Sequence, residues 1–260
     1  RRRRPELNVP LRLRESTEFS TCPTLASHTL ARHGAPSYTV SMPIAKTVPT
    51  NVSPEAAALL ERAYAIDSDA ASRALYRDWA ETYDETMLDG LRYLSPATVA
   101  HLLDEHLHDH AAPVLDVGCG TGLAGQSLFD RGFTSIDGLD LSPEMMQVAG
   151  RRGVYRAFIA ADLHQTLPIA DATYGGAIGS GIFTHGHVDA RCLDELFRVL
   201  RPGAPFAFTV KLEVWEPLGF KDKLASLMER GAITELAFTH DRHYENSALP
   251  DGVFCVYQRV

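Results

Sequence analysis

The sequence predicts an α/β protein built on a mostly parallel sheet, and three observations carry that prediction. Val114, Leu115 and Val117 form a short β-favouring run after Pro113, and Gly118, Gly120 and Gly122 crowd the turn behind it before a helix-forming stretch to Arg131. Short apolar runs at 134–140, 155–160 and 172–179 alternate with helical stretches at 143–152 and 188–200, as parallel strands joined by crossover helices would. Beyond Arg201-Pro202-Gly203 and a strand at 205–210, a helix at 217–230 leads to two alternating runs, 233–243 and 252–259, which read as an antiparallel hairpin at the sheet edge.

The elements follow in chain order. Residues 1–50 open with Arg1–Arg4, scatter Pro, Ser, Thr and Gly without periodicity, and read as a disordered or loosely attached segment. The chain begins on arginine, which fits a processed end or a fragment, with Met42 as an alternative start. Ser53-Pro54 is an N-cap followed by a proline at the tolerant first helical position, so a helix is expected to about Ala65 and a second over 69–82. Residues 51–97 thus form a helical region and 98–260 the α/β core. Ser95-Pro96 opens a helix to about His110 whose apolar residues recur at three- and four-residue spacing. His101, His106, His108 and His110 have no thiolate or strand partner and read as solvated helix residues, so no metal is expected. Ser142-Pro143 caps the helix at 143–152, where Met145 and Met146 are candidates to line a pocket, with core filling an equal alternative for Met146.

Composition limits the function classes. The chain has 260 residues, 45% of them hydrophobic and 22% charged, and a formal net charge of -8. Residues 1–50 carry eight Arg or Lys against three Glu, whereas 51–260 carry 17 against 30. An acidic globular part argues against a nucleic-acid partner, because phosphate contacts need a basic surface. No run of 18 apolar residues provides a membrane span. Cys22, Cys119, Cys192 and Cys255 are widely spaced, as in a reducing, cytoplasmic compartment.

The chemistry gathers at the glycine-rich turn. Glycines at this spacing permit positive φ and remove the Cβ atoms that would hold a ligand away from the backbone. Asp140 ends the second strand, placed to accept hydrogen bonds from a ribose diol, so turn and acid together indicate an adenosine-containing cofactor. Gly120, Gly122 and Gly125 can be fitted to the dinucleotide pattern, which keeps an NAD-type oxidoreductase open, but Asp-x-Gly-x-Gly-x-Gly across Asp116–Gly122 fits better.

In that motif the chain resembles the class I S-adenosylmethionine-dependent methyltransferases. The resemblance, over roughly residues 70–260, implies a Rossmann-like seven-stranded sheet with an antiparallel last strand, helices on both faces and an N-terminal helical lid. It implies S-adenosyl-L-methionine as cofactor, with Asp116 and Gly118 near its methionine part, Gly120 and Gly122 in the turn, Asp140 on the ribose, and Asp162-Leu163 beside the adenine. Tyr76, Trp79 and Tyr83 are implied over the methionine end. Cys119, Thr121, Leu141, Met145 and Ser180 complete the candidate cofactor set. Leu-Arg-Pro-Gly before the fifth strand is a further family marker, whereas Gly175 stands where many relatives have Asp. The Trp-x-x-x-Tyr-Asp stretch and Gly-x-Phe-Thr-His-Gly-His-Val look closest to the Williams–Beuren-region methyltransferase-like proteins.

A sulfonium-borne methyl is transferred by in-line displacement, so positioning and exclusion of water are the protein's main tasks. His185 and His187, expected in the loop after the fourth strand, are candidates for a general base, with Tyr83 as a third catalytic candidate. The Asn-Pro-Pro-Tyr type of signature seen in many nucleic-acid and glutamine N-methylators is absent after the fourth strand, which favours a small-molecule acceptor over DNA. A monomer or homodimer without nucleic-acid or membrane partners is expected. A non-catalytic protein that retained the cofactor pocket is a further alternative, with Gly175 in its favour.

Overall fold

The computed structural model describes residues 53–65, 69–185 and 188–260. The segment 1–50 and His187 lie outside them. Internal contacts divide the chain into Arg1–Met42 and Pro43–Val260, and the second unit holds the N-terminal helices and the sheet together. Ser53 accepts a hydrogen bond from the Ala56 amide at 3.1 Å and Pro54 presets φ, so α1 (Pro54–Tyr64) starts at its expected cap. The second helix, α2 (Asp69–Trp79), gives way to a turn three residues before its expected end, and a π-helical turn, Glu85–Gly90, follows and carries Met87 inward. Then α3 (Ser95–His106) ends a turn earlier than expected, because Leu107 is extended. His110 therefore leaves the face of His106 and instead meets Asp104 at 2.8 Å and stacks on Phe133.

Seven strands make one sheet in the order β3-β2-β1-β4-β5-β7-β6. The strands β1 (Val114–Val117), β2 (Ile136–Asp140), β3 (Tyr155–Ala160), β4 (Gly176–Phe183) and β5 (Pro205–Lys211) are parallel. The hairpin of β6 (Ile233–Asp241) and β7 (Gly252–Arg259) closes the sheet with β7 inserted antiparallel between β5 and β6. This is the Rossmann-like fold with N-terminal helices that the sequence predicts. The chain runs outward from β1 through β2 to β3, then returns to β4 on the other side of β1. That reversal opens a crevice at the carboxyl ends of the central strands, where ligands bind in such sheets.

Side-chain alternation fills both faces. Phe206 and Phe208 pack with Leu193, Leu196 and Phe183 on one side, while Ala207 and Ile178 join Val99, Leu103 and Leu128 on the other. The crossover helices α4 (Leu123–Phe129), α5 (Pro143–Gly150) and α6 (Leu193–Val199) are shorter than the sequence suggests, and α6 is preceded by a 3₁₀ turn that Asp189 caps. The expected helix 217–230 begins later, as α8 (Phe220–Glu229) after a left-handed Gly219, and a short α7 (Leu212–Trp215) that the pattern does not suggest precedes Pro217.

The fourth strand needs the largest correction. It was expected over 172–179 and lies at Gly176–Phe183, because Ala172 is still in a turn at φ 54° and Phe183 pairs with Val210 of β5 across an irregularity. Ser180, Gly181 and Ile182 are therefore strand residues at the crevice rather than loop. Gly175 sits at the amino end, where a Cβ would come within 2.9 Å of Ala112. Its lack of a carboxylate has no bearing on the crevice. No described helix is long and apolar enough to cross a membrane.

Candidate functional site

At the carboxyl ends of β1, β2 and β4 lies a cavity of about 890 Å³ counting its open mouth. Its floor is the glycine turn. Gly118 stands at φ 66°, and a Cβ there would fall 2.4 Å from the Ile182 Cδ1 atom that forms the opposite wall. Asp140 holds this floor to the next strand. Its Oδ2 accepts from the Gly120 amide at 2.8 Å and its Oδ1 from the Ser142 amide, also at 2.8 Å. Burial raises the Asp140 carboxyl above the usual aspartate range, and the amides of Ser142, Gly120 and Leu141 oppose that rise. A carboxylate supported only by amides retains lone pairs for further donors, and a ribose diol would supply them. On this observation the residues fit a nucleoside cofactor.

Of the residues proposed from sequence, Tyr76, Tyr83, Gly118, Gly120, Asp140, Leu141, Met145, Asp162, Leu163 and Ser180 all line this one cavity. Asp162 Oδ1 is fixed by the His164 amide at 2.8 Å and faces its ring at 3.1 Å. Five others are near the cavity but not on its wall. Asp116 is buried beneath the turn, where its Oδ2 accepts from the Tyr155 hydroxyl at 2.6 Å. Its carboxyl is pushed up to about 7, mainly by burial; the Tyr155 hydroxyl and Gly125 amide oppose the rise, and the Asp140 charge adds to it. Gly125 belongs to the same arrangement, since a Cβ there would stand 2.2 Å from the Tyr155 hydroxyl. Cys119 packs its sulfur against Gly138, and burial holds its thiol protonated, well above the ordinary value. Gly122 is the left-handed residue at the start of α4. Trp79 is buried behind Tyr76 and Tyr83, with ring centroids 6.0 and 4.8 Å away, and donates to Thr86 at 3.2 Å.

Thr121 has a different task. Its hydroxyl donates to Asp84 Oδ1 at 2.5 Å, while Arg152 bonds Asp84 Oδ2 and the Thr121 carbonyl. Two hydrogen bonds of 2.7 Å from Arg151 to Glu81 add an exposed tie beside it. These bonds fasten the Tyr83-Asp84 corner to the glycine turn and to the end of α5. Sequence reasoning missed this clasp, although the pairing of Glu81 and Asp84 with consecutive arginines at 151 and 152 was a signal for it. Ser142, His164, Gly181, Ile182 and Val188 also line the cavity outside the expected set, and Tyr93 meets Ser180 Oγ at 3.1 Å.

A second cavity adjoins the first through Tyr76, Tyr83 and Gly181, between the N-terminal helices and the end of the β6–β7 hairpin. The structure brings Tyr83 into both walls, and burial raises its hydroxyl well above the ordinary tyrosine value, so it remains protonated and serves as a hydrogen-bonding wall. His185 lines neither cavity. Its Nε2 lies 2.9 Å from Glu213 Oε2, a pair set at the rim by β4 and α7. His187 lies outside the described residues.

Comparison with known proteins agrees with this geometry. Residues 115–208 match the methyltransferase domain family. The chain is similar to human methyltransferase-like protein 27, with 31% identity over 180 residues that span 68% of this chain and 72% of that protein. Malonyl-[acyl-carrier protein] O-methyltransferase of Pseudescherichia vulneris is 36% identical over 98 residues, 38% of each chain. Among solved structures, the Haloferax volcanii complex of the Trm112 methyltransferase activator with a methyltransferase superposes with a TM-score of 0.55 at 20% identity, covering 71% of this chain and 97% of the other.

Proposed function

We propose that this chain, which belongs to the class I S-adenosylmethionine-dependent methyltransferases and takes its methyl group from S-adenosyl-L-methionine, hands that methyl to an O, N or S atom of a small molecule. One observation carries the reading: the space next to the cofactor cavity is a pocket walled largely by aromatic side chains, between the N-terminal helices and the β6–β7 hairpin. The acidic balance of residues 51–260 supports it, since a polyanionic substrate would meet repulsion. We place the chain beside the Williams–Beuren-region methyltransferase-like proteins, on its likeness to methyltransferase-like protein 27. A cytoplasmic location belongs to the same reading, supported by Cys119, Cys192 and Cys255 being buried and free.

The cofactor supplies an electrophilic methyl carbon on a sulfonium, which is already an excellent leaving group. What remains for the protein is binding, orientation and dryness. In this reading Asp140 accepts from the ribose hydroxyls, and Leu141, Met145 and Leu163 flank the adenine, with Asp162 at its edge. The backbone at Gly118 and Gly120 gives the amino-acid tail a surface free of side chains. Tyr76 and Tyr83, on the walls of both cavities, flank the place where donor and acceptor meet and keep water from it. Asp116 acts indirectly, by fixing Tyr155 and the underside of the turn. No group on the walls of the two cavities is required as a base for a thiolate or free amine acceptor.

The test is a label-transfer experiment. Protein supplied with methyl-tritiated S-adenosylmethionine is incubated separately with the metabolite, RNA and protein fractions of a cell extract. Label is expected in the metabolite fraction, and label confined to RNA or protein would overturn the small-molecule reading. Calorimetric titration with S-adenosylhomocysteine tests the residue assignments separately.

A further inference from the structure

The second cavity contains a combination of groups that sorts possible acceptors by charge. Its walls are ring faces and edges from Tyr76, Trp79, Tyr83, Tyr93, Phe183 and Tyr244. Three polar side chains join them: Lys211 at the end of β5, Thr184 just beyond β4 and His243 in the hairpin. Lys211 is almost fully buried. Its ammonium lies 2.7 Å from Asp251 Oδ2, itself buried, and 4.9 Å above the ring of Tyr244. Asp251 is held in turn by the His243 amide at 2.7 Å, so the ion pair is built into the hairpin. His243 is also on the wall, and burial together with the Lys211 charge lowers its pKa well below the ordinary value, so its ring is neutral. Thr184 is 8% exposed, and its buried hydroxyl has no hydrogen-bond partner. An unmatched hydroxyl in an aromatic pocket is costly unless a ligand satisfies it.

We propose that this cavity is the acceptor site and that it selects an uncharged, ring-bearing molecule whose hydroxyl or carbonyl group bonds Thr184; the proposal rests on the methyltransferase reading above. Flat rings suit walls made of flat rings, in offset or edge-on contact. A cationic acceptor would meet the Lys211 ammonium, the one lining group of fixed charge among the described residues, despite the attraction that aromatic faces have for cations. An anionic acceptor would place a second carboxylate on an ammonium already neutralised by Asp251, in a space with little water to offset its desolvation. A neutral ring incurs neither cost. The cavity adjoins the cofactor cavity at Tyr76, Tyr83 and Gly181, so a molecule held here faces the donor directly.

The test uses full-length protein saturated with S-adenosylhomocysteine and three one-ring probes of similar size: phenol, benzoate and benzylamine. Binding is read by ligand-observed NMR titration. Phenol is expected to bind at least about tenfold more tightly than either charged probe. Thr184→Val, which keeps the shape and removes the hydroxyl, is expected to weaken phenol by about fivefold and leave S-adenosylhomocysteine affinity unchanged. Ala63→Trp, which fills the cavity from α1, is expected to abolish phenol binding with the same control intact. Equal or tighter binding of benzoate or benzylamine would overturn the charge selection, and phenol affinity unaltered by both variants would overturn the site. Absence of all three probes from protein that still binds S-adenosylhomocysteine would overturn this proposal while leaving the cofactor reading in place. Loss of S-adenosylhomocysteine binding by the unmodified protein would instead strike at the reading on which it rests.

Discussion

The two cavities lie side by side and share three residues, yet they are made in opposite ways. Apart from Tyr76 and Tyr83, the cofactor cavity is lined by residues between 118 and 188, from the ends of β1, β2, β3 and β4 and the segments that follow them. The adjoining cavity takes Leu60 and Ala63 from α1, Phe183 and Thr184 from the end of β4, and His243 and Tyr244 from the hairpin. The first depends on local conformation, so single backbone positions control it. The second depends on three distant segments arriving together, so its determinants are distributed.

The largest effect should come from the local side. Gly118→Val forces a β-branched residue into φ 66° and pushes a Cβ onto Ile182, and is expected to cost about 2–5 kcal/mol of stability and abolish S-adenosylhomocysteine binding. Urea unfolding and calorimetry measure the two parts. A folded Gly118→Val protein with unchanged affinity would show that the turn is not the floor of the site.

Next comes the pH dependence of the same floor. Asp116 has its folded pKa raised to about 7 from 3.8. Its folded state therefore binds the proton more tightly than the unfolded chain does. The stabilisation is fully present below the unfolded value and is lost as pH rises through 7, with a span on the order of a few kcal/mol. Asp116→Asn removes this titration, so the variant should gain stability relative to the parent between about pH 5 and about pH 8. A parent whose relative stability rises over that interval would contradict the burial argument. Asp140→Ala should lower S-adenosylhomocysteine affinity by about 10–100-fold, since it removes the acceptor for two turn amides and for the ligand's hydroxyls. In the unmodified protein, affinity should fall on acidification at a higher pH than an ordinary aspartate would give, because the raised Asp140 must remain ionised to accept.

The same contrast explains what was legible in the sequence. Strand, glycine turn, helix and the acid after the second strand are local signals, so the parallel core, the hairpin and most of the cofactor wall could be read directly. Where tertiary contacts decide, the pattern failed. The fourth strand slipped by four residues because Gly175-Gly176-Ala-Ile-Gly179-Ser-Gly181 lacks the side chains that mark a register, and pairing with β5 sets it instead. Thr121 and Asp116 were assigned to the cofactor by motif, yet one hydroxyl goes to Asp84 and one carboxylate to Tyr155, partners 37 and 39 residues away. Lys211 could be read only as a charge at the crevice end, because nothing local shows that Asp251 will meet it.

The clasp between the N-terminal helices and the turn is where the two modes of construction meet. Asp84→Asn weakens the bonds to Thr121 and Arg152 together, and is expected to reduce S-adenosylhomocysteine affinity by about 3–10-fold with little loss of stability, since Asp84 and Arg152 are partly exposed and the Asn oxygen can still accept from the buried Thr121 hydroxyl. Arg152→Ala should do the same. The double variant should fall short of the sum, since both remove one shared contact.

The smallest effect is expected at His185. Its ring is turned to Glu213 and lines neither cavity, so His185→Gln should change S-adenosylhomocysteine affinity by less than about twofold. Its cost should appear in stability instead, at about 1 kcal/mol, because Glu213 is buried and Gln can still donate to it. A general base would behave differently: turnover at saturating acceptor would fall steeply, the acidic limb of the pH profile would shift, and both would occur without a change in cofactor affinity. Measuring turnover and S-adenosylhomocysteine affinity on the same preparation separates the cases. A steep turnover loss would mean that the segment after β4 carries His185 inward when acceptor binds, making it part of the distributed cavity rather than a support on its rim.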